Sequence, residues 1–270
     1  MNRVATQFAS ITPIFHQNPT ATWLFNESSI NKPHSPLHNK LLSALTTLEY
    51  NRLLPYLELV AMPIGDLLCG MGEHLHYVYF PTTAIVALTC HLENGATAAI
   101  AIVGNEGIVG VSSFMGGGSM PNNAIVQNAG FGYRLKVQHL KYEFNHAGTL
   151  FSLLLRYIQA LITQMSLIVV CNRHHTIEQH LCRFLLLSLD RSPTNTLSMT
   201  QELISRMIGA RRVGVTKAAG NLQRAGMIQY VRGKIEVSNR PKLEKNVCEC
   251  YSVVKSEFDR LLTSLPKSRI

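Results

Sequence analysis

Acidic residues are scarce in this chain: 16 Asp and Glu stand against 25 Lys and Arg in 270 residues, and charged residues of all kinds reach only 15%. With 46% hydrophobic residues, that composition excludes an intrinsically disordered chain. The N-terminus, MNRVATQFASITPIF, lacks an apolar run long enough for a secretory signal. The six cysteines (Cys69, Cys90, Cys171, Cys182, Cys248, Cys250) are scattered, so the expectation is reduced thiols in the cytoplasm. Gly-x-Ser-x-Gly, a Walker loop, His-Glu-x-x-His and a paired-carboxylate motif are all missing, and nothing points to an enzyme. Leu150–Cys171 imitates a membrane span, but Arg156, Gln159 and Gln164 inside it would be expensive in lipid, and no membrane contact is expected.

What is present is unevenly distributed. Residues 41–150 hold four Lys/Arg against seven Asp/Glu, whereas residues 197–245 hold ten against three. A basic segment of that density is the footprint of phosphate binding. The length suits about two domains. Residues 1–40 are polar and proline-punctuated, a loose extension, and Leu41–Leu57 suits one or two short helices. Glycines then separate short β-prone runs at His76–Phe80, Ala84–Cys90, Ala96–Val103, Ala124–Gln127 and Phe131–Val137, with Glu93-Asn94-Gly95 as a hairpin signal. Strands at this spacing indicate a compact antiparallel barrel or roll, over residues 41–148.

Helical texture follows. Phe151, Leu154, Ile158, Leu161, Met165 and Ile168 are spaced 3, 4, 3, 4, 3, the seam of a helix over 149–172 that zips to a second copy. Another amphipathic helix spans His175–Leu189. Ser198 or Thr200 then caps a helix to Ile208, Gly209 turns the chain, and a second helix runs from Arg211 to Ala225. Val215, Ala219 and Leu222 face inward there; Arg211, Arg212, Gly214, Thr216 and Lys217 face outward. A hairpin follows, with the basic tip Arg232-Gly233-Lys234, and 246–270 suits a C-terminal helix. Within 173–245 this is the sequence form of a winged helix-turn-helix. Its second helix would enter the major groove of double-stranded DNA, where arginine meets guanine bidentately. Thr200 and Gln201 at the first helix, and the wing's Arg232 and Lys234, would hold phosphates.

Metal chemistry is weighed against this. Cys171, His174, His175, His180 and Cys182 cluster in sequence, but helix spacing does not bring them onto one face, and surface or interface roles are expected. Cys248-x-Cys250 is too close for the usual zinc knuckle and has no second pair beside it in sequence. No metal or other cofactor is expected. His74, His76, Cys69 and Cys90 do not form a haem motif.

The chain resembles the Crp/Fnr superfamily of regulators over residues 41–262. The resemblance rests on Val78-Tyr79-Phe80-Pro81, Val103-Gly104-Asn105-Glu106-Gly107-Ile108-Val109-Gly110, the long helix, His175-Thr176-Ile177-Glu178-Gln179-His180-Leu181 and the winged helix. A subgroup with Arg-Arg-Val-Gly-Val-Thr (Arg211–Thr216) and Cys-Glu-Cys-Tyr (Cys248–Tyr251) is the most similar. The resemblance implies an α+β fold: an N-terminal cupin-like antiparallel β-roll, a long dimerisation helix and a C-terminal winged helix-turn-helix. It implies a homodimer on a palindromic operator, with half-sites about one helical turn apart, and makes RNA polymerase a candidate partner. Arg212 and Lys217 match basic recognition positions, and Thr200 matches a phosphate-contacting hydroxyl. Val213 stands where several members carry a glutamate that reads bases. Gly104 and Glu106 match the ribose pair of cyclic-nucleotide members, but Pro121-Asn122-Asn123-Ala124 replaces the Arg-Ser/Thr that would neutralise a buried phosphate, so cyclic AMP is not expected. The effector is unknown, with Glu106, Asn122 and Asn123 as the candidates to contact one. The alternative reading is a small-molecule, haem or metal sensor in which DNA contact is secondary.

Overall fold

A computed structural model describes residues 35–263. The described span begins inside the segment read as a loose extension, whose residues 1–34 lie outside it. Asn39 is fully buried, its Nδ2 donating to the carbonyls of Pro81 (3.0 Å) and Gly107 (2.8 Å). Its Oδ1 accepts from the amides of Leu41 and Leu42, so one side chain caps helix α1 (Lys40–Ser43) and pins it to the sheets beyond. Helix α2 (Thr47–Leu53) opens on a capping box between Thr46 and Glu49.

Seven strands follow: β1 (Glu58–Met62), β2 (Leu67–Cys69), β3 (Tyr77–Pro81), β4 (Ile85–His91), β5 (Thr97–Val103), β6 (Asn123–Asn128) and β7 (Gly130–Lys136). They form two antiparallel sheets, β1-β7-β3 and β2-β6-β4-β5. The five runs expected from the sequence are β3 to β7. β1 and β2 were not expected: β1 is largely solvent-exposed and β2 has three residues, so neither shows an alternating apolar face. Val78, Phe80, Val86, Leu88, Ile108 and Leu135 fill the space between the sheets and belong to one hydrophobic cluster that continues into the helices.

Helix α3 (Val137–Asn145) leads to α4 (Thr149–His174), whose 26 residues span about 39 Å. Among the described residues α4 is the one helix long and apolar enough to cross a bilayer, and Leu153, Leu154, Tyr157, Leu161 and Gln164 commit one of its faces to the protein core. That corrects the expected dimer seam. Leu154 and Leu161 are 0% and 3% exposed within the chain's own core. Phe151, Ile158, Met165 and Ile168 are half-buried. α4 is apolar on more than one side, so its periodicity could not fix which stripe the fold leaves free. The exposed stripe is Leu155, Ile162 and Val169, at 46%, 56% and 70% exposure, with Ile158 and Met165 between them.

The C-terminal part comprises α5 (Ile177–Leu189), β8 (Thr196–Ser198), α6 (Gln201–Ile208), α7 (Arg212–Arg224), β9 (Ile228–Val231), β10 (Lys234–Val237), α8 (Arg240–Asn246) and α9 (Cys250–Thr263). The wing has three strands in the order β8-β10-β9, one more than the expected hairpin. α9 returns along α4, with Phe258 edge-on to the buried Tyr157 ring at 6.2 Å.

Glu49 joins the two ends of this scaffold. Burial alone would raise its carboxyl pKa. Hydrogen bonds from the Thr46 hydroxyl (2.7 Å) and from the amides of Leu150 (3.1 Å) and Thr46 (3.2 Å), together with Thr149, outweigh that and hold it below the usual range. Because the folded pKa is depressed, the stabilisation is present above the unfolded value and lost as pH falls through the folded one. We therefore expect Tm to fall on acidification below about pH 5, and Glu49→Gln to flatten that limb of a Tm-against-pH profile.

Candidate nucleic-acid interface

Thr200 accepts from the Leu203 amide and starts α6, the choice of cap left open by the sequence. Gly209, at φ +66°, ends it in the left-handed region and turns the chain towards α7. Val215, Ala218, Ala219 and Leu222 bury the inner face of α7. Arg211, Arg212, Thr216 and Lys217 lie exposed at its N-terminal end, as expected. Gly214 does not: a Cβ there would lie 2.6 Å from Ile177 Cδ1, so the missing side chain lets α7 close onto α5. Its outward assignment is corrected to a packing role. Val213 is 81% exposed, an apolar side chain left open among the described residues.

The wing tip is the two-residue turn Arg232-Gly233, with φ of +47° and +78°, between the paired Val231 and Lys234. Positive φ at both positions is the signature of the type I′ turn that matches strand twist. The wing is tied to both helices. The Met199 amide donates to Gly233 O (2.7 Å), Tyr230 Oη to Met199 O (3.0 Å), and the Tyr230 amide to Gln223 Oε1 (3.0 Å). Thr216 Oγ1 donates to Gln201 Oε1 (2.6 Å), linking α7 to the start of α6, so half-buried Gln201 positions α7. Exposed Thr200, Arg232 and Lys234 complete a continuous set with the α7 residues.

Two cations of the basic segment are neutralised by ion pairs away from this face. Arg206 pairs with Glu202, and Arg240 with Asp190 and Glu244. Among the described residues, Arg211, Arg212, Lys217, Arg232 and Lys234 have no ion-pair partner. Five exposed, uncompensated cations on a rigid helix end and turn make an anion-binding surface.

Two of the three effector candidates, Glu106 and Asn123, are engaged within the fold. Glu106 is buried and takes Arg191 Nε at 2.6 Å, while also accepting from the Gly104 amide. Arg191 Nη1 donates to Leu187 O (2.8 Å) and Nη2 to Gln164 Oε1 (3.3 Å). The cleft beside them, lined by Lys40, Asp190 and Phe258 among others, holds about 150 Å³, below the roughly 300 Å³ where small-molecule sites usually begin. Asn123 Oδ1 accepts from the Met71 amide (2.6 Å) and its Nδ2 meets His91 Nδ1 (2.8 Å). Asn122 is buried, and its Nδ2 has no partner among the described residues.

The Cys/His group also needs correction. His174 is exposed, His180 donates from Nε2 to Cys171 O (2.7 Å), and Cys182 is buried in α5. Cys171 and His175, however, lie against Cys248 and Cys250. The pair that stands alone in the sequence has its complement at the end of α4, brought there by the return of α9.

A roll of two antiparallel sheets, a long helix and a winged helix-turn-helix define the class of fold. Residues 179–246 match the Crp-like helix-turn-helix domain family, so the chain carries a domain of that kind. Its fold is that of Crp/Fnr regulators. FixK2 from Bradyrhizobium japonicum superposes with a TM-score of 0.60 at 17% identity, over 71% of this chain and 98% of that one. The c-di-GMP-responsive regulator CLP of Xanthomonas campestris gives 0.58 at 12% identity, over 71% and 99%. A Crp-family transcriptional regulator from Thermus thermophilus gives 0.57 at 16%, over 70% and 95%. No curated protein matches the chain.

Arg191 is the residue that sequence reasoning missed, although a lone arginine after a run of leucines is a visible signal. Arg191→Met leaves the buried Glu106 carboxylate uncompensated, and urea unfolding should show a loss of about 3–5 kcal/mol. Adding Glu106→Leu should recover most of it, because an apolar pair can replace a buried ion pair. Losses that simply add would contradict the pairing.

Proposed function

We propose that this protein is a sequence-specific DNA-binding transcription regulator that acts in the cytoplasm as a homodimer on a palindromic operator. The observation that carries this reading is the unpaired cationic face formed by Arg211, Arg212, Lys217, Arg232 and Lys234 within a Crp-like helix-turn-helix domain. The N-terminal end of α7 enters the major groove. Arg212 takes a guanine through O6 and N7, and the exposed Val213 packs on a thymine methyl. Thr200 and the wing hold phosphates and set the register.

The free stripe Leu155, Ile158, Ile162, Met165 and Val169 has the 3, 4, 3, 4 spacing of a two-helix seam. It supports a dimer through α4, displaced by one residue at three of its positions from the seam read in the sequence. The Glu106 carboxylate, committed to Arg191, supports a roll that does not bind cyclic AMP in the manner of the cyclic-nucleotide members.

Fluorescence anisotropy on the chain's own upstream DNA tests the interface. Arg212→Ala should cost about 1–3 kcal/mol and relax base preference. Lys234→Ala should weaken binding to all duplexes alike and flatten the salt slope by about one unit. A change of base preference in Lys234→Ala would make the wing a reader. For the dimer, Ile162→Glu should give a folded monomer by sedimentation; a dimer that survives it would remove the α4 stripe from the interface.

A further inference from the structure

We propose that Cys171, His175, Cys248 and Cys250 form a closed tetrahedral site for a thiophilic divalent metal ion, zinc(II), at the junction of α4 with the C-terminal helix. The four ligand atoms lie within 4.8 Å of one another. Cys171 Sγ is 3.6 Å from Cys248 Sγ, and Cys250 Sγ is 3.7 Å from His175 Nδ1. Zinc–sulfur bonds of about 2.3 Å and a zinc–nitrogen bond of about 2.0–2.1 Å at tetrahedral angles require ligand separations of about 3.8 and 3.6 Å. The Cys171–Cys248 and Cys250–His175 pairs already stand at that spacing, and the other pairs lie within 4.8 Å.

The surroundings fit the same chemistry. His175 presents Nδ1 to the thiols, and its Nε2 is 3.4 Å from Glu249 Oε2, a carboxylate that fixes the ring from behind as metal-bound histidines usually require. The three cysteines are buried against Leu167 and Val247, which keeps water from a fifth position. Three thiolates and one dication leave one negative charge. Arg183 is buried beside them, acts electrostatically on Cys171 and Cys250, and its Nε has no hydrogen-bond partner among the described residues. A disulfide between Cys171 and Cys248 would use two of these residues and give no role to a carboxylate-oriented histidine or a third thiol. Three soft ligands with one imidazole select zinc over magnesium, calcium or manganese.

Bound there, the ion would tie the last turn of α4 and its capping residue His175 to the start of α9. That junction leads directly into α5, which carries the helix-turn-helix.

The test uses the full-length chain, reduced and freed of metal by dialysis against a chelator. Cobalt(II) should then bind at one equivalent, with thiolate charge-transfer and tetrahedral visible bands, and zinc(II) should displace it and raise Tm. Cys250→Ala should abolish the cobalt spectrum while Cys182→Ala, a buried cysteine outside the cluster, should keep it. Glu249→Gln should weaken zinc about 10- to 100-fold, a change that a folding defect followed by circular dichroism would not mimic. Absence of cobalt or zinc binding by the reduced wild type, binding unaltered by Cys250→Ala, or isolation of a Cys171–Cys248 disulfide from reducing cytoplasm would each overturn the site.

Discussion

A carboxylate from the roll and a guanidinium from the helix-turn-helix side meet almost without water, and the packing of the described roll and helices depends on that contact. Glu106 sits in the loop after β5, and Arg191 follows α5. Arg191 reaches Gln164 of α4, the carbonyl of Leu187 at the end of α5, and the face of Phe258 in α9 at 5.3 Å. Gly104 leaves the space, since a Cβ there would lie 2.6 Å from Arg191 Cβ. Burying two charges costs several kcal/mol each, so a pair of this kind is weak evidence for stability. Its geometric demands are strict. The observed orientation gives each guanidinium nitrogen an acceptor, and separating the pair would strand a buried charge. Glu106 thereby joins the loop after β5 to the residue that follows α5.

That orientation gives α4 two unlike faces. The inner face, with Leu154, Tyr157 and Leu161, closes the roll and receives α9. The outer face keeps Leu155, Ile162 and Val169 in solvent. Burying such a stripe against a copy of itself removes apolar surface from water at about 25 cal/mol per Å². A second copy would also present a second α7, which suits a two-fold operator. In the charges, Arg206 and Arg240 are paired with Glu202 and with Asp190 and Glu244, while, among the described residues, five cations without an ion pair lie at the α7 end and wing tip.

Much of this was legible in the sequence because the signals are local. Glycine-punctuated β-prone runs placed β3 to β7, Ser198 or Thr200 with Gly209 bounded α6, and Asn94-Gly95 marked the β4–β5 turn. Strands β1 and β2 escaped, since β1 is largely exposed and β2 is only three residues long. The seam of α4 was misjudged for a different reason: a helix apolar on several sides gives a period but no phase, and only the roll and α9 decide which stripe they cover. Gly214 was read by its place among basic residues, whereas its contact with Ile177 depends on helix packing. Glu106 with Arg191, and Cys171 with Cys248, are 85 and 77 residues apart. No local pattern can report such meetings, although Cys171-x-x-x-His175 and Cys248-x-Cys250 were each visible as halves.

Two copies of α7 reading DNA across a two-fold axis would leave their mark on the sequences the protein chooses. The most direct measurement is selection of duplexes by the full-length chain from a pool with a long randomised region, followed by sequencing. The predicted result is enrichment of an inverted repeat whose half-sites are centred about one helical turn, 10–10.5 base pairs, apart. Recovery of single unpaired half-sites, or of no motif above the starting pool, would contradict it.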